Sequence, residues 1–97
     1  MERNDEKAVE ILYRAFTLID SEDECEKFFS DLCTPVEILE MAQRLKSAIM
    51  LKSGQSYSEV IKATGMSSAT ISRVNKCLDK GNGGYSSVIM RLVNGEN

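Results

Sequence analysis

Residues 67–76 read SSATISRVNK and crowd five small or hydroxyl-bearing side chains, Ser67, Ser68, Ala69, Thr70 and Ser72, next to two cations, Arg73 and Lys76. Such residue types suit contact with double-stranded nucleic acid. Hydroxyls donate or accept at base edges and phosphates, and an alanine or threonine methyl can meet the methyl of thymine. Arg73 and Lys76, with Lys62 just upstream, would neutralise phosphate, and a helix beginning near Ser67 would favour an anion at its N-terminus. The plainer alternative is a helical hairpin whose serines and threonines are caps and solvated surface.

Other chemistries find little support. Histidine is absent, which removes the commonest general base and the imidazole metal ligand. Cys25, Cys33 and Cys77 are odd in number and lack CxxC spacing, so neither a disulfide framework nor a zinc site is expected, and buried thiols are the default. Carboxylate pairs such as Asp23 and Glu26 read as solvated helix surface. No nucleophile stands beside a base at a recognisable spacing. Neither an enzyme nor a metal site nor a cofactor is expected.

The elements that would hold 67–76 in place are legible around it. Apolar or small residues at Val60, Thr64, Met66, Ile71, Val74 and Leu78, with Gly65 between, have the spacing of two short helices around a tight turn. Ser56 or Tyr57 opens the first, Gly65 allows a positive φ at the turn, and Ser67 caps the second. This is the spacing of a helix-turn-helix, expected over 56–79. Tyr57 suits a wall of the core better than a stacking platform.

Upstream, Ala8, Ile11, Leu12, Ala15, Phe16 and Ile19 repeat at helical spacing and predict a helix from about Asp5 to Asp20. Ser21 with Glu24 forms a capping box before a second helix whose apolar face is Cys25, Phe28, Phe29 and Leu32. Thr34, Pro35 and Glu37 mark the start of a third, running to Ser53 and stopped by Gly54. Its apolar residues, Ile38, Leu39, Met41, Ala42, Leu45, Ala48, Ile49 and Leu51, cover so much of the circumference that contact from several directions is expected. Gly81, Gly83 and Gly84 separate the helix-turn-helix from a last helix, Tyr85 to Val93, with Val88, Ile89 and Leu92 on one face. The fold class is all-α.

A chain of 97 residues bounds one small domain with a modest core, for which sharing a core with a second copy is a natural source of stability. The net charge of −3 hides a division: residues 1–40 carry twelve acids against four bases, and residues 41–97 eight bases against three acids. Only the second part suits a polyanion. No apolar run reaches the length of about eighteen residues needed to span a membrane, and no secretory signal is visible, so a cytoplasmic protein is expected.

The stretches CTPVEILEMAQRL, TGMSSATISRVNKCL and GNGGY resemble the tryptophan-repressor superfamily, and within it the YerC/YecD-like branch, over about Ser30 to Val93. The resemblance implies a six-helix Trp-repressor-like protomer intertwined with its twin as a homodimer. Residues 1–97 would be one DNA-binding domain, with 1–54 mainly for dimerisation, 56–79 as the helix-turn-helix and 85–93 as the C-terminal helix. Two reading heads would then meet successive major grooves of a palindromic operator.

The same resemblance implies a candidate effector pocket. In the tryptophan repressor the corepressor lies between the central and recognition helices. Thr34 and Arg44 match the threonine and first arginine of that pocket, and Arg73 matches its second arginine. Val74 stands where the tryptophan-binding members have glycine, and Cys77 where they have a serine that bonds the ligand's amino group. Both changes oppose tryptophan, because a valine adds roughly three carbons to a close-packed site and a thiol is a weak donor. A ligand of another shape between Arg44 and Arg73 remains the competing reading. Asp79 replaces a lysine of the family's repressor, with Lys80 beside it. The expected function is that of a sequence-specific transcriptional regulator, a repressor acting on DNA without tryptophan. The alternatives are a helical protein–protein interaction module and a regulator responding to another ligand.

Overall fold

The computed structural model describes residues 2–95. Six helices follow one another: α1 (Arg3–Thr17), α2 (Glu22–Leu32), α3 (Pro35–Lys52), α4 (Tyr57–Thr64), α5 (Ser68–Lys80) and α6 (Gly84–Val93), with no strand among the described residues. The chain divides into two compact units, the first ending at Pro35 and the second beginning at Val36.

In the first unit, α1 starts and stops earlier than its apolar spacing predicts. It ends at Thr17 because the Thr17 hydroxyl donates to the Arg14 carbonyl at 2.7 Å and the Leu18 N–H turns to the Ala15 carbonyl, three residues back, at 3.1 Å. Ser21 caps α2 by accepting the Glu24 N–H at 3.1 Å. The Glu24 carboxylate reaches back to the N–H of Asp20 at 3.4 Å, one residue short of the Ser21 N–H a capping box would use. Phe16 joins the two helices, edge-on to Phe28 with centroids 5.8 Å apart and stacked on Phe29 at 5.4 Å. Neither helix contains a fully buried residue.

The second unit holds the core. Ala48 of α3, Val74 of α5 and Ile89 of α6 are buried together, with Leu45, Ile49, Leu51, Leu78 and Tyr85 packed around them. Val60 of α4 and Ile71 of α5 are also fully buried. On α3 burial is confined to Ser47 and Ala48, while Val36 and Leu39 in its first two turns are exposed. The many-sided contact expected of α3 is therefore not supplied around its whole length by the described residues of this chain. The thiols are likewise less hidden than expected: Cys25 and Cys33 are half-buried and Cys77 is exposed, all free.

Candidate nucleic-acid interface

The reading head is built from local chemistry. Ser56 caps α4, accepting the Glu59 N–H and donating its own proton to the Glu59 carboxylate, both at 3.2 Å. Val60 points into the core. Thr64, the one polar residue at an inward position of the motif, is satisfied at both ends: its hydroxyl donates to the Val60 carbonyl at 2.7 Å and accepts the Met66 N–H at 3.3 Å. Gly65 turns the chain at φ 73°, its N–H bonded to the Ile61 carbonyl at 2.8 Å. A Cβ there would meet nothing within 4 Å, so the need for glycine is conformational rather than steric.

Past the turn, the Met66 sulfur sits 3.7 Å from the hydroxyl of Ser47, which is fully buried and bonds the Gln43 carbonyl at 2.8 Å. The turn is thus seated on the middle of α3. Ser67 then caps α5: it accepts the Thr70 N–H at 3.2 Å and donates to the Thr70 hydroxyl at 3.0 Å. The Ile71 N–H goes to the Ser67 carbonyl at 3.1 Å. The Ser67 and Thr70 hydroxyls thereby hold the helix start, with Thr70 half-buried. The amides of Ser68 and Ala69 belong to the first helical turn, whose N–H groups have no intrahelical acceptor.

Along α5 the two faces separate cleanly. Ile71, Val74 and Leu78 form the inner stripe, the first two buried. At about 100° per residue, Ala69, Arg73, Lys76 and Lys80 form a stripe on the opposite face, with Ser72 beside it and Ser68 at its edge. All six are exposed. Lys80 stands outside the residues singled out from the sequence because the neighbouring Asp79 masks it, yet the spacing of eleven from Ala69 places it on the same stripe. With 13 residues, α5 is about 20 Å long, a length that suits a major groove. Its first turn carries no acid. Lys62, exposed in the last turn of α4, adds a fourth cation to the head.

Of the residues matched to an effector pocket, Thr34 belongs to the first unit and is exposed. Arg44, half-buried on α3, and Arg73, Val74 and Cys77 on α5 belong to the second. Val74 faces the core, whereas Arg73 and Cys77 are open to solvent. Among the described residues no group of three or more cysteine, aspartate or glutamate side chains is placed to hold a metal ion, and no helix is long and apolar enough to cross a membrane.

Fold and site together define an all-α helix-turn-helix protein with one hydroxyl-rich, basic helix face turned outward. The chain belongs to the Trp repressor family, whose model, described as Trp repressor protein, matches residues 7–93. It is 42% identical over 86 residues to the uncharacterized protein YerC of Bacillus subtilis, covering 89% of this chain and 83% of that protein. A solved TrpR-like protein from Eubacterium eligens is 45% identical, with a TM-score of 0.83 over 89% of each chain. A candidate Trp repressor from Staphylococcus aureus is 35% identical, with a TM-score of 0.84 over 100% of each. Membership places the chain among helix-turn-helix regulators of transcription.

Proposed function

We propose that this chain is a sequence-specific DNA-binding regulator that acts in the cytoplasm as a homodimer on a palindromic operator, represses by occluding the promoter, and does not require tryptophan. The observation that carries this reading is the outward face of α5: Ser68, Ala69 and Ser72 in its first turns and Arg73 and Lys76 behind them, all exposed, on a helix whose opposite face is locked in the core. Ser68, Ala69 and Ser72 reach base edges, helped by the Thr70 hydroxyl. Arg73, Lys76, Lys80 and Lys62 neutralise phosphates, and Ser67 with the first amides of α5 presents a helix N-terminus to the backbone.

Exposed apolar faces support the homodimer in this reading. Ile11 on α1 and Leu18 just past its end are 64% and 78% exposed, and Val88, Leu92 and Val93 on α6 are exposed too. A cleft of about 310 Å³ between the end of α3 and α6 has walls of Ile49, Ile89, Met90 and Val93. These are apolar faces a second copy would cover. Residues 1–54 would then serve mainly to dimerise, 56–79 to read DNA and 85–93 to complete the body. Buried Val74 and the exposed thiol of Cys77 argue against tryptophan as the effector.

Selection of binding sites from random duplexes tests the function. The expected product is a palindrome whose half-sites lie one helical turn apart and whose affinity falls steeply with salt. Retention of no sequence, with weak binding indifferent to salt, would refute it and leave a protein–protein module as the better reading.

A further inference from the structure

The helix that reads DNA in the proposal above is held by side chains from two other helices of its own unit, α3 and α6. Val74, on the inner face of α5, is 2% exposed and shares its contact with Ala48 of α3 and Ile89 of α6, itself 2% exposed. Ile89 is the one buried residue described on α6, a helix that lies outside the helix-turn-helix. Each member of the trio is suited to fix a distance. Ala48 is small enough to let helices approach closely, Val74 is β-branched and stiff at χ1, and the site is close-packed, so a lost methylene is felt rather than absorbed. The Ser47–Met66 contact anchors the turn one residue away along α3. The turn and the middle of α5 are therefore both referred to α3, and α6 presses on the same point.

We infer that Val74 and Ile89 are positioning residues for DNA recognition: their contact with Ala48 sets the angle of α5, so that α6 is a working part of the reading head and α5 is held without any bound small molecule. The inference rests on the DNA-binding reading. Its leverage is geometric. Tilting a helix about 20 Å long by about 10° about one end moves the other end by about 3.5 Å, far beyond the few tenths of an ångström over which a base-edge hydrogen bond survives. Phosphate contacts by flexible lysines tolerate such a shift. Base contacts do not.

The experiment uses the full chain, with Val74→Ala and Ile89→Ala beside Ile89→Leu, which keeps the volume. Circular dichroism and thermal melting establish that each is folded at the assay temperature. Anisotropy titrations then give Kd for the selected palindrome and for random duplex, with the active fraction fixed by stoichiometric titration. The expected result is a loss of about tenfold or more in palindrome affinity for both alanine variants, the worth of at least one base contact, with random-duplex binding and salt dependence unchanged. Ile89→Leu should recover most of the loss. If Ile89→Ala does not fold, Ile89→Val, one methylene lighter than the wild type, replaces it, with a smaller fall in the palindrome-to-random ratio expected, and if Val74→Ala does not fold, the Ile89 variants decide the inference. A merely structural role lowers the active fraction and leaves that ratio intact, and this result in folded variants overturns the inference.

Wild-type protein purified under denaturing conditions and refolded should bind the palindrome as tightly as natively purified protein, and millimolar L-tryptophan should leave its Kd unchanged. Affinity lost on refolding and restored by tryptophan or by a small-molecule fraction of cell extract also overturns it. Failure of the wild type to select any site would instead remove the DNA-binding reading, and this inference with it.

Discussion

Lys76→Gln and Ser72→Ala, compared in one assay, separate the two jobs assigned to the outer face of α5. Both residues are exposed on that face, three positions from the buried Ile71–Val74 stripe or nearer, and neither touches the core. Lys62, Arg73, Lys76 and Lys80 supply four cations per protomer and therefore eight in the proposed dimer. At about 0.9 released counterions per neutralised phosphate, the wild type should show a slope of about −7 in log K against log salt. Between 50 and 200 mM salt, such a slope corresponds to a loss of about 10⁴ in affinity. Lys76→Gln removes two of the eight charges and should lower the slope to about −5.4, weakening palindrome and random duplex alike. Ser72→Ala removes no charge. It should leave the slope at its wild-type value and cut the palindrome-to-random ratio by about 1–3 kcal/mol per lost base contact. Anisotropy titrations at four or more salt concentrations measure both quantities. A slope unaffected by Lys76→Gln, or a Ser72→Ala change that appears equally on random DNA, would refute the division of the face into phosphate and base contacts.

Other consequences are as direct. Gly65→Ala adds a Cβ to open space but forces it into the left-handed region, so the loss should be about 1–2 kcal/mol. In a domain of this size that lowers the melting temperature by about 4–8 °C per kcal/mol, and an unchanged melting curve would contradict the assigned turn. Ile11→Asp with Leu18→Asp, at positions open to solvent in one protomer, should leave helix content intact and shift the sedimentation profile from dimer to monomer. Two buried side chains at roughly 1.5–3 kcal/mol each, lost from both copies, come to about 6–12 kcal/mol, enough to abolish association at micromolar protein. A dimer that survives the pair would place the interface elsewhere.

What could be read from the sequence is what is decided within a few residues. Ser56, Gly65 and Ser67 act through their own backbone neighbours, and each does in the structure what its type and place imply. The inward positions Val60, Ile71 and Val74 follow from periodicity alone, since only one face of so short a helix can be buried. Thr64 breaks the apolar pattern for a reason invisible to pattern: its hydroxyl closes two bonds across the turn. α3 marks the opposite limit. Its periodicity announces apolar character on most of its circumference, but periodicity cannot say whether the cover comes from the same chain or from another, and Val36 and Leu39 stand exposed here. Cys77 illustrates a smaller failure. A thiol is usually buried, yet this one lies a quarter-turn away from the Val74 stripe and is open to solvent.

Charge settles the apparent conflict between an acidic chain and a polyanionic partner. Divided where the structure divides, residues 1–35 carry ten acids against four bases, a net of −6, and residues 36–97 carry eight bases against five acids, a net of +3. The unit that contains the helix-turn-helix therefore carries the sign of charge that a polyanion attracts, and the other carries the opposite sign. Under the proposed function, an attraction confined to the unit that holds α5 favours encounters made through that unit. The repulsion costs little once bound wherever a carboxylate lies more than about 8 Å from phosphate at physiological salt, since screening removes most of it. Low salt should accordingly raise the association rate with DNA despite the net charge of −3, because the ionic atmosphere then no longer hides the basic unit's field. A stopped-flow association rate that falls as salt is lowered would mean that the overall charge, not its division, governs the encounter.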